Sequence, residues 1–324
     1  MKKRIILDLI MANACNKMCE YCCIKFNWKL LSTENIDFIQ SYLSLYKDDY
    51  ESCIINFFWW EPLLNYKNIV YFVENNKNPK ISYILGTNGF LLTEENLNFF
   101  IRNNVKIYLS FHADEVNSYE KLLEKTYLIK HKDIEINFIV SPKNINECFN
   151  KLKRVVDFWF KRINIIPVML TMKWDMEAIK ELSNFIKHVD TDYINNPEYE
   201  DVTISKYSFF DGIIQEKTFV LDYDLNIYQD SSDELYIWKQ FINLWEELSR
   251  EIEKSTFLWN IKDSPMTLSD IINKHSVKEV FGLIYKLPKR MDYVKDYYLI
   301  YKIMNRNKQK EKRGSYMIFW ANNQ

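Results

Sequence analysis

Six times over the first 190 residues, a short apolar run gives way to a segment whose apolar positions recur every three or four residues. Residues 5–10 form a run of the kind that fills a parallel strand buried on both faces. Thr33 then caps a stretch with Ile36, Ile39, Leu43 and Tyr46 on one helical face. Residues 53–58 are the second run, and Ile69, Val70, Phe72 and Val73 mark the helix after it. The third run, 81–85, precedes a helix opening near Thr93 with Leu97, Phe100 and Ile101; the fourth, 105–111, precedes one around Leu122 and Leu123. The fifth, 134–140, leads to Ile145, Phe149, Leu152 and Val156 in helical phase, and the sixth, 163–169, to Ile179, Leu182 and Ile186. Six βα units in succession predict an α/β fold, a partial (β/α)6 TIM-like barrel with its chemistry at the carboxyl ends of the strands. A doubly wound open sheet is the alternative.

After residue 190 the rhythm changes. Residues 218–221 and 226–228, joined by Asp222-Tyr223-Asp224-Leu225, predict a hairpin, and helical patterns such as 235–252 follow. The expected division is therefore a core barrel over 1–190 and a small α+β extension over 191–324. The chain carries 43 basic and 44 acidic residues, a net charge of -1, so no overall field draws it to nucleic acid or an anionic membrane. No apolar stretch reaches the roughly 18 residues of a membrane span. Residues 302–313 are locally basic, a pattern more typical of a solvated tail than of an RNA contact.

Cysteine usage narrows the reading. Cys15, Cys19, Cys22 and Cys23 crowd into nine residues, with Cys53 and Cys148 far away, which fits a metal site in a reducing compartment better than a disulfide framework. The N-terminus has the basic start of an export signal, but Asp8 interrupts its short apolar run, so cytoplasm is expected. Cys15, Cys19 and Cys22 form C-x3-C-x2-C just after the first strand. Three thiolates on one loop do not close a four-ligand zinc site, but they can hold three irons of a [4Fe–4S] cluster and leave the fourth open. A structural metal knuckle is the plainer alternative. Cys23 reads as a bystander, Cys53 as a small buried apolar residue, and Cys148 as a conceivable hydrogen donor.

This spacing, with Tyr21 before the third cysteine, resembles the radical S-adenosylmethionine (SAM) superfamily. The resemblance implies that Cys15, Cys19 and Cys22 ligate the cluster and that the open iron binds the amino and carboxylate groups of SAM. It also implies a reductant such as a flavodoxin or ferredoxin, and cleavage of SAM to methionine and a 5′-deoxyadenosyl radical that abstracts hydrogen from substrate. The family's Gly-Gly-Glu-Pro segment corresponds here to Trp59-Trp60-Glu61-Pro62. Glu61 and Pro62 match; two indoles stand where glycines let the backbone approach SAM. Gly86-Thr87-Asn88-Gly89 resembles the family's Thr-Asn-Gly segment, which brings Thr87 and Asn88 to SAM, although it also reads as a plain turn. At the end of the fourth strand Ser110 can contact the methionine or ribose part of SAM, and Ser141 is a weaker candidate after the fifth. His112 replaces the acid usual in relatives and reads otherwise as a structural or solvated histidine.

Composition bears on the two indoles. Only five of 324 residues are glycine, about 1.5%, against about 7% in an average protein, while nine are tryptophan. Some bacterial lineages read UGA as glycine, and a translation table that reads it as tryptophan would produce this imbalance. Trp28, in Asn27-Trp28-Lys29, and Trp159 also stand where a turn or cap favours glycine, and Trp238 stands where a related domain often has glycine, whereas Trp245 reads as genuine. Leu225 stands where relatives favour glycine, and the codon argument does not explain it.

The hairpin at 218–228 resembles the start of the SPASM or twitch extension, which implies a peptide or protein substrate. With no cysteine after Cys148, auxiliary clusters are not expected. The competing functions are radical chemistry on RNA or a small metabolite, and a non-enzymatic protein whose SAM pocket Trp59 and Trp60 block.

Overall fold

The computed structural model describes residues 3–22, 27–58, 60–112, 116–131, 134–158, 160–168, 172, 174–206, 217–230, 257–260, 262, 300, 303 and 304. Trp59, Trp159, Trp238, Trp245, Cys23, the helical pattern at 235–252 and nearly all of the basic segment 302–313 lie outside the described residues.

The elements run β1 (Lys3–Ile10), α1 (Thr33–Leu45), β2 (Tyr50–Phe58), α2 (Tyr66–Asn75), β3 (Ile81–Thr87) and α3 (Glu94–Arg102). There follow β4 (Lys106–His112), α4 (Val116–Leu123), β5 (Ile134–Val140), α5 (Ile145–Asp157), β6 (Arg162–Pro167) and α6 (Met176–Val189). Every one of the six expected strand–helix units forms. Four further strands come after them: β7 (Thr203–Lys206), β8 (Lys217–Leu221), β9 (Asn226–Asp230) and β10 (Phe257–Asn260).

Helix boundaries follow local chemistry. Ser32, not Thr33, caps α1: its hydroxyl accepts from the Asn35 N–H at 3.2 Å, and Thr33 is the first helical residue. Asp175 caps α6 in the same way through Ala178 N at 2.8 Å. Just beyond α3 the chain turns at Asn104, whose φ of 52° a short polar side chain tolerates.

The chain divides into two compact units: residues 1–87, 98–106 and 213–286, and residues 88–97, 107–212 and 287–324. In the first, the strand order is β10-β9-β8-β1-β2-β3. β1, β2 and β3 are parallel, and β8 adds to β1 in parallel before turning into the antiparallel hairpin with β9. Phe57 meets Phe72 of α2 at 5.7 Å, so the alternating positions Asn56 and Phe58 face away from that helix. On that far face the Asn56 amide donates to buried Asp8 at 2.8 Å.

The second unit carries β4-β5-β6-β7, all parallel. Its helix-side core includes Phe111 stacked on Phe138 and Phe138 against Phe185 of α6. Leu152, Val155, Val156, Leu182 and Ile186 fill the layer around them, each worth about 1.5–3 kcal/mol if fully buried. Phe149 lies half-buried at the edge of α5, against His188 at 5.4 Å. The strand β7 has no counterpart in the sequence reading; Lys206 in it pairs with Asp190 at 2.8 Å, both buried. Among the described residues no helix is long and apolar enough to cross a membrane.

Candidate functional site

The cysteine loop leaves the carboxyl end of β1 and is closed at its base by backbone pairing. Leu31 N donates to Met11 O at 2.9 Å, Asn13 N to Lys29 O at 2.7 Å and Trp28 N to Asn13 O at 3.0 Å. Met11, Ala12, Asn13 and Ala14 are fully buried under this small ladder, whereas Cys15, Cys19 and Cys22 are half-exposed. Two asparagines that sequence reasoning missed reinforce the base. Asn65 donates to Met11 O at 2.9 Å and Leu31 O at 2.8 Å, and Asn68 to Leu31 O at 2.7 Å.

Within the loop, Cys22 N donates to Cys19 O at 2.8 Å, a tight turn that sets these two residues on one bend. Lys17 N points at Cys15 Sγ at 3.4 Å, the kind of backbone donor that favours a thiolate. Three half-exposed cysteine thiols on one loop are the soft donors that iron–sulfur clusters take, so the donor set fits a [4Fe–4S] cluster. The other two described cysteines are buried: burial pushes the Cys53 thiol up, and Cys148 donates to Asn144 Oδ1 at 3.2 Å.

The end of β2 is tied to this loop. Glu61 N donates to Ala14 O at 3.2 Å. The Glu61 carboxylate is fully buried and accepts from Leu63 N at 3.1 Å and from the Thr87 hydroxyl at 2.8 Å. Thus the structure joins Glu61 and Thr87, two sequence-predicted site residues 26 positions apart. Trp60, just before Glu61, is half-buried and holds φ at 55°. Trp28, in the returning limb of the cysteine loop, holds φ at 58°. At Gly86 a Cβ would come within 2.3 Å of the Phe58 ring, so the close packing of β2 on β3 requires glycine there.

In the second unit, Asn88 is buried, and its Oδ1 accepts from Phe90 N at 3.1 Å in a side-chain-closed turn. Gly89 has φ 78°, and a Cβ there would strike Leu109 and Leu122. Lys125, absent from the sequence reading, clamps the same turn by donating to Gly89 O at 3.1 Å, Phe90 O at 3.0 Å and Leu92 O at 2.7 Å. Burial holds its pKa below the usual lysine range. Ser110 and His112, both half-buried, occupy the last turn of β4, in register with Asn137 and Ile139 of β5. Ser141 is buried after β5, with its N–H on Asn144 Oδ1 at 2.8 Å.

A loop of three cysteines after the first strand, followed by a buried glutamate after the second, defines a class of protein. The family model described as the Radical SAM superfamily matches residues 9–182, more than half the chain, and the chain belongs to that superfamily. It is 24% identical over 259 residues to the radical SAM cyclopropyl synthase TigE of Paramaledivibacter caminithermalis. That match takes in 71% of this chain and 52% of TigE, so the chain spans about half the length of the curated relative. The fold is similar to that of native anSMEcpe with bound AdoMet and Cp18Cys peptide: TM-score 0.65, 18% identity, 89% of this chain and 85% of that one. It is also similar to Streptococcus suis SuiB bound to precursor peptide SuiA: TM-score 0.57, 13% identity, 89% and 68% covered. These likenesses carry the fold, and they agree with the partial TIM-like barrel that the six βα units predict.

Proposed function

We propose that this protein is a radical SAM enzyme that cleaves SAM reductively and abstracts hydrogen from a peptide or protein substrate. The carrying observation is the half-exposed trio Cys15, Cys19 and Cys22 on a loop after β1, in a chain that belongs to the superfamily. When bound, a reduced [4Fe–4S] cluster supplies the electron that splits SAM into methionine and a 5′-deoxyadenosyl radical.

The chain's own residues bind and orient. The three thiolates hold the cluster and leave one iron for SAM. Glu61, buried and fixed by Leu63 and Thr87, presents a negative charge that an ammonium group would neutralise. The backbone at Trp59 and Trp60 and the Thr87 side chain belong to the same SAM contact by resemblance. By resemblance, Asn88, Ser110 and His112 are assigned to the remainder of SAM. Residues 1–190 carry this chemistry and residues 191–324 form a degenerate SPASM-like extension without auxiliary clusters. A flavodoxin or ferredoxin serves as reductant in the cytoplasm. The peptide class is supported by the β8–β9 hairpin and by relatives crystallised with peptides.

After anaerobic cluster reconstitution and reduction, the protein is expected to release 5′-deoxyadenosine from SAM. Release is expected to rise when peptides encoded beside its gene are added. An intact cluster with no 5′-deoxyadenosine, in this chain and in its Trp59→Gly/Trp60→Gly form, would favour the non-enzymatic reading. Stimulation by RNA or by small metabolites instead of peptides would redirect the substrate class.

A further inference from the structure

We infer that Tyr223, at the tip of the β8–β9 hairpin, is a positioning residue for the cluster-binding loop. This deepens the function proposed above and rests on Cys15, Cys19 and Cys22 holding the cluster. Asn13 and Asn27 bracket the stretch that carries all three cysteines. The Asn27 amide donates to Tyr223 Oη at 2.6 Å, and the Asn13 amide reaches the same oxygen at 3.5 Å. Asn27 N also donates to Asn13 Oδ1 at 3.3 Å, so the two limbs of the loop meet at one phenol.

Neighbouring contacts fix the phenol in place. Asn35 of α1 donates to Tyr223 O at 2.8 Å. Lys29 pairs with Asp224 at 3.0 Å and lies 5.2 Å from the centre of the Tyr223 ring. The turn is itself stiff: Asp222 Oδ1 accepts from Asp224 N and Asn226 N, both at 2.9 Å, and buried Leu225 holds φ at 68°. A rigid turn from the far end of the sequence therefore staples the base of a loop whose cysteines are half-exposed. Metal geometry depends on such outer supports, because ligand side chains on a loose loop lose their mutual spacing.

The test compares the full chain with Tyr223→Phe, which keeps the ring and removes Oη. Both are reconstituted, challenged with excess EDTA and followed by cluster absorbance, with the electron paramagnetic resonance spectrum of the reduced cluster recorded in parallel. Tyr223→Phe is expected to lose iron about fivefold faster, the factor one net hydrogen bond supplies, and to show a broadened spectrum. In the metal-free proteins, amide exchange in the cysteine loop is expected to be faster in the variant. Equal iron loss, an equal spectrum and equal exchange would overturn the proposal, whether or not the melting temperature has changed. Failure of the unchanged chain to take up iron would instead overturn the radical SAM reading itself.

A second, independent observation concerns residue identity. Among the described residues, four other than glycine adopt a left-handed φ: Trp28, Trp60, Asn104 and Leu225. Two of these four are tryptophan, although tryptophan makes up only nine of 324 residues. That conformation suits glycine and is a genuine outlier for a bulky side chain. Trp28 is 65% exposed, so little packing compensates for it. We propose that positions 28 and 60 are glycine in the native polypeptide, encoded by UGA codons that its host reads as glycine. Mass spectrometry of peptides spanning both positions, from the native host, is expected to return glycine masses. Tryptophan masses with UGG codons would overturn the proposal, whatever the enzyme does.

Discussion

Alanine at Cys15, Cys19 or Cys22, one at a time, is expected to abolish cluster assembly and with it all SAM cleavage. Loss of an outer-sphere partner alone costs a metal site about 10- to 100-fold, so loss of a ligand is expected to cost at least about a hundredfold. The measurement is iron per protein after anaerobic reconstitution, followed by 5′-deoxyadenosine release. Cys53→Ala and Cys148→Ala are the controls, because both thiols are buried within packed elements. They are expected to keep the full iron content and to change stability alone. Iron retained at the wild-type level in any of the three loop variants would remove that cysteine from the ligand set.

The double variant Trp59→Gly/Trp60→Gly is expected to bind SAM at least about tenfold more tightly than the sequence as written. The gain, about 1.4 kcal/mol for a tenfold change, comes from clearing the backbone that leads to Glu61, whose N–H is anchored on Ala14 O beside the cysteine loop. Relief of the left-handed strain at Trp60, about 1–2 kcal/mol, is present with and without SAM and adds to folding stability instead. Isothermal titration of SAM into the reconstituted proteins checks this. Equal or weaker binding by the glycine form would show that the indoles belong to the pocket. The single Trp60→Gly variant separates the two positions.

Much of this molecule is legible along the chain because its signals are local. The spacing of Cys15, Cys19 and Cys22 places three thiols on one loop whatever the rest of the fold does. Short apolar runs and period-3.6 patterns delimit the six βα units, since burial of a strand or of a helix face shows within a few residues. The turn Asp222-Tyr223-Asp224-Leu225 closes its hairpin through side-chain-to-backbone bonds no more than four residues long. Even the strain at Trp28 and Trp60 has a trace in the composition, as too few glycines and too many tryptophans.

What the sequence could not supply are the single polar contacts that bridge distant segments. An asparagine or tyrosine has no periodic signature, and its partner is set by which strands become neighbours. Asn65 is read along the chain as one more polar residue beyond Pro62, yet it holds both limbs of the cysteine loop. Lys125 is an ordinary surface lysine in sequence and a three-carbonyl clamp on the Gly89 turn in structure. Tyr223 meets Asn27 across 196 residues only because β8 lies parallel to β1, a pairing that neither strand's own apolar pattern specifies. The cysteine loop and the run of βα units follow from local pattern, but what holds that loop still follows from closure of the fold. Apolar periodicity and ligand spacing are properties of a few consecutive residues, whereas a hydrogen bond between remote segments exists only after the chain has closed around them.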